Sequence, residues 1–138
     1  MNYLLDTNIC IYLIKKRPPQ VIARFKTLQL EEVAISSVTL AELEYGVKKS
    51  QAKEKNQQAL EEFISPLVIS PLVILPFDKQ AASYYGDLRA SLERMGTPIG
   101  SLDFMIAAHA LSLGITLVTN NTKEFIRVTG LKIENWVS

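Results

Sequence analysis

Short apolar runs of strand length alternate with helix-patterned stretches along the whole chain, and this alternation restricts the fold more than any other feature. The strand-like runs fall near residues 2–6, 33–35, 72–76, 115–118 and 131–136. Residues 8–16, 19–29, 39–49, 51–64, 78–96, 102–113 and 122–127 read as helices between them. The order is β-α-α-β-α-α-β-α-α-β-α-β. Strands separated by crossovers this long pair in parallel, and a parallel sheet needs helices over both faces. We therefore expect an α/β protein with one domain over residues 1–138. Its core would be a mostly parallel sheet of about five strands with helices on both faces.

The punctuation agrees with this reading. Lys15-Lys16-Arg17 and Pro18-Pro19 end the first helix, because basic residues suit a helix C-terminus and proline cannot continue one. Ser36 and Ser37 are candidate caps, and Leu40, Leu43 and Val47 follow at core-facing spacing. Gly114 sits where a C-terminal glycine is expected. Ile64-Ser65-Pro66-Leu67-Val68 recurs as Ile69-Ser70-Pro71-Leu72-Val73, but two units are too few for a repeat architecture.

The first strand, Tyr3-Leu4-Leu5, runs directly into Asp6-Thr7-Asn8. In open α/β sheets ligands sit outside the carboxyl ends of the strands, so a carboxylate at that junction is placed for chemistry. Taken alone the triplet reads first as a helix cap. Other acids change the weighing. Glu42 falls in the first turn or so of the helix after the second strand. Asp103 lies in the first turn of the helix opened by Ser101, and Asn121 and Glu124 follow the fourth strand. In a parallel sheet all these places converge on the carboxyl edge.

Such a cluster needs a cation. Two carboxylates ~4 Å apart repel by about 4 kcal/mol at an effective dielectric of ~20. All-oxygen ligands suit Mg²⁺ or Mn²⁺, and carboxylate-held ions of this kind serve phosphodiester cleavage. Zinc is poorly served, because His109 and Cys10 are the chain's only histidine and cysteine. Helical spacing does not choose between Glu42 and Glu44, and Glu124 taken alone reads as a surface acid.

Other conspicuous residues read as structural. His109, six residues after Asp103, lies roughly 240° further around the helix and so points away from it. Cys10 sits among Ile9, Ile11 and Leu13, where a small buried hydrophobe is expected. Tyr84, Tyr85 and Trp136 are expected to pack. The net charge of +1 marks no strongly basic nucleic-acid binder, yet it leaves room for a local face of Lys15, Lys16, Arg17, Lys48, Lys49 and Lys53. Neither a signal peptide nor a membrane-spanning run stands out, so a cytoplasmic protein without membrane attachment is expected.

Together the pieces resemble a known family. They are Leu4-Leu5-Asp6-Thr7-Asn8, Ala41-Glu42-Leu43 with Gly46, Ile99-Gly100 with Asp103 and Ile106-Ala107-Ala108-His109-Ala110, and Leu117-Val118-Thr119-Asn120-Asn121 with Glu124-Phe125. In this order they resemble PIN-domain proteins. The ending, Gly130-Leu131 with Glu134-Asn135-Trp136, resembles the VapC toxins of bacterial toxin–antitoxin pairs, including those that cut initiator tRNA. The resemblance implies a Mg²⁺- or Mn²⁺-dependent endoribonuclease with Asp6 and Asp103 as principal metal ligands. It selects Glu42 over Glu44 as the third acid. Many PIN domains carry Asp where this chain has Asn121; here Glu124 would supply that charge, or Asn121 would hold a water. Thr7, Asn8 and Thr119 would orient the acids. The resemblance also implies an RNA substrate, a homodimer and a small VapB-like antitoxin that blocks the site.

Two other classes compete. A phosphatase-like enzyme would use Asp6 as the nucleophile, but no second aspartate stands nearby to act as acid. A non-catalytic RNA- or partner-binding module would have a decayed site, whereas Asp6, Glu42 and Asp103 are all present.

Overall fold

The computed structural model describes residues 1–66 and 71–138. Residues 67–70 of the repeated Ile-Ser-Pro-Leu-Val segment lie outside the described residues. Five strands among those described are β1 (Tyr3–Leu5), β2 (Val33–Ser36), β3 (Val73–Leu75), β4 (Thr116–Val118) and β5 (Ile133–Glu134). They form one sheet in the order β3-β2-β1-β4-β5, and every pair is parallel. The helices are α1 (Thr7–Lys15), α2 (Pro19–Lys26), α3 (Ser37–Lys49) and α4 (Lys53–Ile64), then α5 (Lys79–Arg94), α6 (Ser101–Leu113) and α7 (Thr122–Phe125).

The strands alternate between two cores, as period-two side chains must. Leu5, Val33, Ile35 and Val118 join Ile9, Leu13, Leu43, Val47 and Leu60 of α1, α3 and α4 on one face. Leu4, Ala34 and Leu117 join Leu92, Phe104 and Ile106 of α5 and α6 on the other. Burial of the strands on both faces is why they read as apolar runs rather than alternating ones.

Chain direction across the sheet decides the site. From β1 the chain moves outward to β2 and β3, then crosses back to β4 on β1's other side. Outside the carboxyl ends of β1 and β4 lies the crevice where doubly wound sheets bind ligands. The register pairs Leu5 with Val118, so the residues that follow them, Asp6 and Thr119, leave the sheet side by side.

Several boundaries differ from the sequence reading. The second helix ends at Lys26, and a 3₁₀ turn at Leu30–Glu32 leads into β2. Helix α3 starts at Ser37, capped by the Ser36 hydroxyl, which places Glu42 in its second turn rather than its first. β5 is two residues long instead of six, because pairing with β4 ends once Val118 meets Glu134. Arg24 of α2 clasps this short strand by hydrogen-bonding Glu134 at 3.1 Å and lying over the Tyr3 and Trp136 rings.

His109 is structural, as its helical position predicts. It is buried, with Nδ1 2.8 Å from Ser36 Oγ and its ring edge-on to Phe77. Ser36 Oγ also accepts the Val38 N–H at 3.1 Å. We expect Ser36→Ala to cost about 1.5 kcal/mol in urea unfolding, since it removes a helix cap and orphans a buried imidazole nitrogen. Burial holds the His109 pKa below its usual 6.5, although Asp78 pulls the other way. The stability this contributes is full above the unfolded-state value and declines as pH falls through the lowered one.

Candidate active site

Asp6 does two jobs at once. It is the N-cap of α1, with Oδ1 accepting the Thr7 N–H at 2.7 Å. Its Oδ2 accepts the Thr119 hydroxyl proton at 2.7 Å, across from the end of β4. The carboxylate is only 4% exposed, and burial raises its pKa against the lowering effect of both hydrogen bonds.

From Asp6 the network extends both ways. The Thr7 hydroxyl donates to Glu42 Oε1 at 2.7 Å, so α1 and α3 are joined through two acids and one threonine. On the other side, Thr119 Oγ1 accepts the Asn121 N–H at 2.9 Å, and Asn121 Nδ2 donates to Glu124 Oε2 at 2.7 Å. Glu124 in turn lies near enough to Asp103 to raise that carboxyl's pKa. Asp103 is pushed up to about 7 by burial, by Glu124, and by the charges of Asp6 and Glu42. The four acids therefore feel one another, although they come from β1's end, α3, α6 and α7.

The structure thus brings together Asp6, Glu42, Asp103, Glu124, Thr7, Thr119 and Asn121. Asn8 is exposed on α1, and its side chain takes no part in these bonds. Facing solvent, it cannot orient the acids as the resemblance implied. Asn121 buttresses Glu124 through its amide, which gives an amide at this corner a positioning part. Glu44 does not join the network, and its Oε1 is buried without a partner among the described residues. Cys10 is fully buried, and burial together with the Asp6 charge pushes its thiol well up, which suits packing rather than attack. Gly100, part of the sequence motif leading to Asp103, has a steric role there. A Cβ there would stand 3.3 Å from Asp103 Oδ2, so glycine leaves that carboxylate its room.

Does this donor set fit a hard cation? It offers only oxygens, and Asp103, whose pKa is raised by burial first and then by Glu124, Asp6 and Glu42, is a carboxyl whose ionised form a divalent ion would favour. Among the described residues no three of these side chains yet surround one point. Glu42, Asp103 and Glu124 are partly exposed and would have to turn towards Asp6 to close round an ion. The chemistry fits.

One hydroxyl ties β1 to the corner beyond β4. For the endoribonuclease that the resemblance implies, Thr119→Val should slow cleavage at least ~tenfold in single-turnover assays, and Thr119→Ser should retain the rate.

The PIN domain profile matches residues 3–131 of this chain. The chain belongs to the PIN-domain family. The "tRNA(fMet)-specific endonuclease VapC" of Shigella flexneri is 48% identical over 136 residues, which cover 99% of this chain and 98% of the relative. "Ribonuclease VapC2" of Haemophilus influenzae is 44% identical over 137 residues, covering 99% of both chains. The VapBC2 crystal structure from Rickettsia felis, bound to a DNA fragment from its promoter, contains a chain with a TM-score of 0.88 and 46% identity. It covers 99% of each chain. Within the PIN-domain family this chain therefore stands among the VapC ribonucleases.

Proposed function

We propose that this PIN domain is a Mg²⁺- or Mn²⁺-dependent endoribonuclease, the toxin of a toxin–antitoxin pair acting in the cytoplasm, with a tRNA as substrate. The observation that carries the reading is the wiring of Asp6, Glu42 and Glu124 through Thr7, Thr119 and Asn121 at one sheet edge, with Asp103 within reach of the same charges. The tRNA(fMet) specificity named for the Shigella flexneri relative supports a tRNA substrate. Complexes such as VapBC2 support a small VapB-like antitoxin, and a homodimer belongs to the same reading. Among the described residues no helix is long and apolar enough to cross a membrane.

Asp6 and Asp103 would hold the cation, with Glu42 and Glu124 completing its surroundings. When bound, the ion would supply Lewis-acid polarisation of a phosphate oxygen and acidify water. The protein's own groups do the positioning. Thr7 N–H and the Thr119 hydroxyl fix both Asp6 oxygens, Thr7 holds Glu42, and Asn121 holds Glu124. Without the cation, burial and the neighbouring acids raise the Asp103 carboxyl to about 7, and a bound divalent ion would hold it deprotonated. A phosphatase-like nucleophile would need a second aspartate beside Asp6 to act as acid, and none stands near it in the sequence.

Purified protein incubated with total tRNA and Mg²⁺ or Mn²⁺ should release fragments with one dominant end, mapped by sequencing. EDTA should stop the reaction, and added Mn²⁺ should restore it. Intact RNA in both metals, from protein shown to be folded, would favour the non-catalytic module instead.

A further inference from the structure

Two depressions meet beside α1, and Ile11 and Lys15 line both. The first, of about 320 Å³, lies between α1, α3 and α4 and includes Glu42 of the acid cluster. Its lining is mainly apolar, with Leu43, Val47 and Leu60, while Ser50 and Asn56 add polar groups. Gly46 lines it too, and a Cβ there would meet nothing within 4 Å, so the space beside this turn of α3 is open. The second depression, of about 310 Å³, adds Tyr12 and Arg17.

Away from the acid cluster, the charges lining this trough are positive. Lys15 and Arg17, both exposed, are its cations, and Glu42 is the sole carboxylate among its described lining residues. Exposed Lys48, Lys49 and Lys53 stand at the adjoining ends of α3 and α4. An acid of the cleavage site at one place and a run of cations beyond it is the pattern a polyanion entering that site requires. The apolar lining suits base faces, and the Asn56 amide can pair with a base edge. That combination matches single-stranded RNA, whose bases can be splayed from the backbone.

Resting on the nuclease reading above, we propose that this trough holds the single-stranded RNA run adjoining the scissile bond. Lys15 and Arg17 contact its phosphates, and one base lies beside Gly46.

The test measures binding apart from cleavage. A short fluorescein-labelled single-stranded RNA is titrated by anisotropy into EDTA-treated full-length protein across a salt series. Gly46→Trp should weaken binding about tenfold, because base–protein stacking of the size it blocks is worth that much. Lys15→Ala/Arg17→Ala should flatten the slope of log affinity against log salt by ~1.4, about 0.7 per lost phosphate contact. Arg94→Ala removes an exposed cation at the end of α5, on the opposite face of the sheet, and should leave affinity and slope unchanged. Trough variants that bind RNA as Arg94→Ala does would overturn the proposal, including the case where Gly46→Trp blocks only a peptide partner. If Gly46→Trp fails to fold by circular dichroism, the salt slope of the double alanine variant decides alone. Wild-type cleavage in Mn²⁺ with unchanged binding by the variants would sink the trough and leave the nuclease standing. RNA held through the trough without cleavage under any metal would do the reverse.

Discussion

Asp6→Asn should reduce RNA cleavage by at least ~10³-fold, about 4 kcal/mol of transition-state stabilisation, while the protein stays folded. Asn caps helices as well as Asp does, so the bond from Thr7 N–H survives. The amide nitrogen meets the Thr119 hydroxyl, which can accept as readily as it donates. What disappears is the charge, at the centre of a network linking Glu42 to Glu124. Single-turnover cleavage with Mn²⁺ checks the rate, and thermal melting checks the fold. A folded variant that cuts at the wild-type rate would remove Asp6 from the site.

Asp103→Asn should also abolish cleavage, yet make the metal-free protein more stable. The Asp103 carboxyl is pushed up to about 7 from 3.8 by burial and by neighbouring acids. Between those values the folded state binds more protons than the unfolded one, so stability falls as pH rises through the window. The loss is absent below about pH 4 and complete above pH 7. A shift of ~3 units corresponds to about 4 kcal/mol, and solvent screening of this half-exposed group brings that nearer ~2 kcal/mol. In EDTA at pH 8, Asp103→Asn should therefore melt roughly 5 °C higher than the wild type. At pH 4 the two should coincide. Equal melting at both pH values would mean that the acids do not repel as their placement implies.

These two outcomes describe one trade. The site gathers like charges that the fold would shed, and activity is what keeps them. Thr7, Thr119 and Asn121 hold the acids in place at the cost of that repulsion.

Much of this was legible along the chain, and some was not. Apolar runs separated by helical stretches determine a parallel sheet, because crossover length and two-faced burial leave little choice. Asp6 and Asp103 could be placed at its carboxyl edge from their positions after strands and at helix starts, whereas choosing Glu42 over Glu44 took the family resemblance. His109 could be turned away from Asp103 by counting residues around a helix. The tertiary structure alone decided the strand order, with β4 returning beside β1 rather than beside β3. It alone placed the Thr119 hydroxyl on Asp6, a partner 113 residues away, and turned Asn121 towards Glu124 and left Asn8 in solvent. Periodicity reports which face a residue takes within its own element. Which elements then become neighbours is settled by packing between distant segments, and hydrogen bonds across that packing have no local signature.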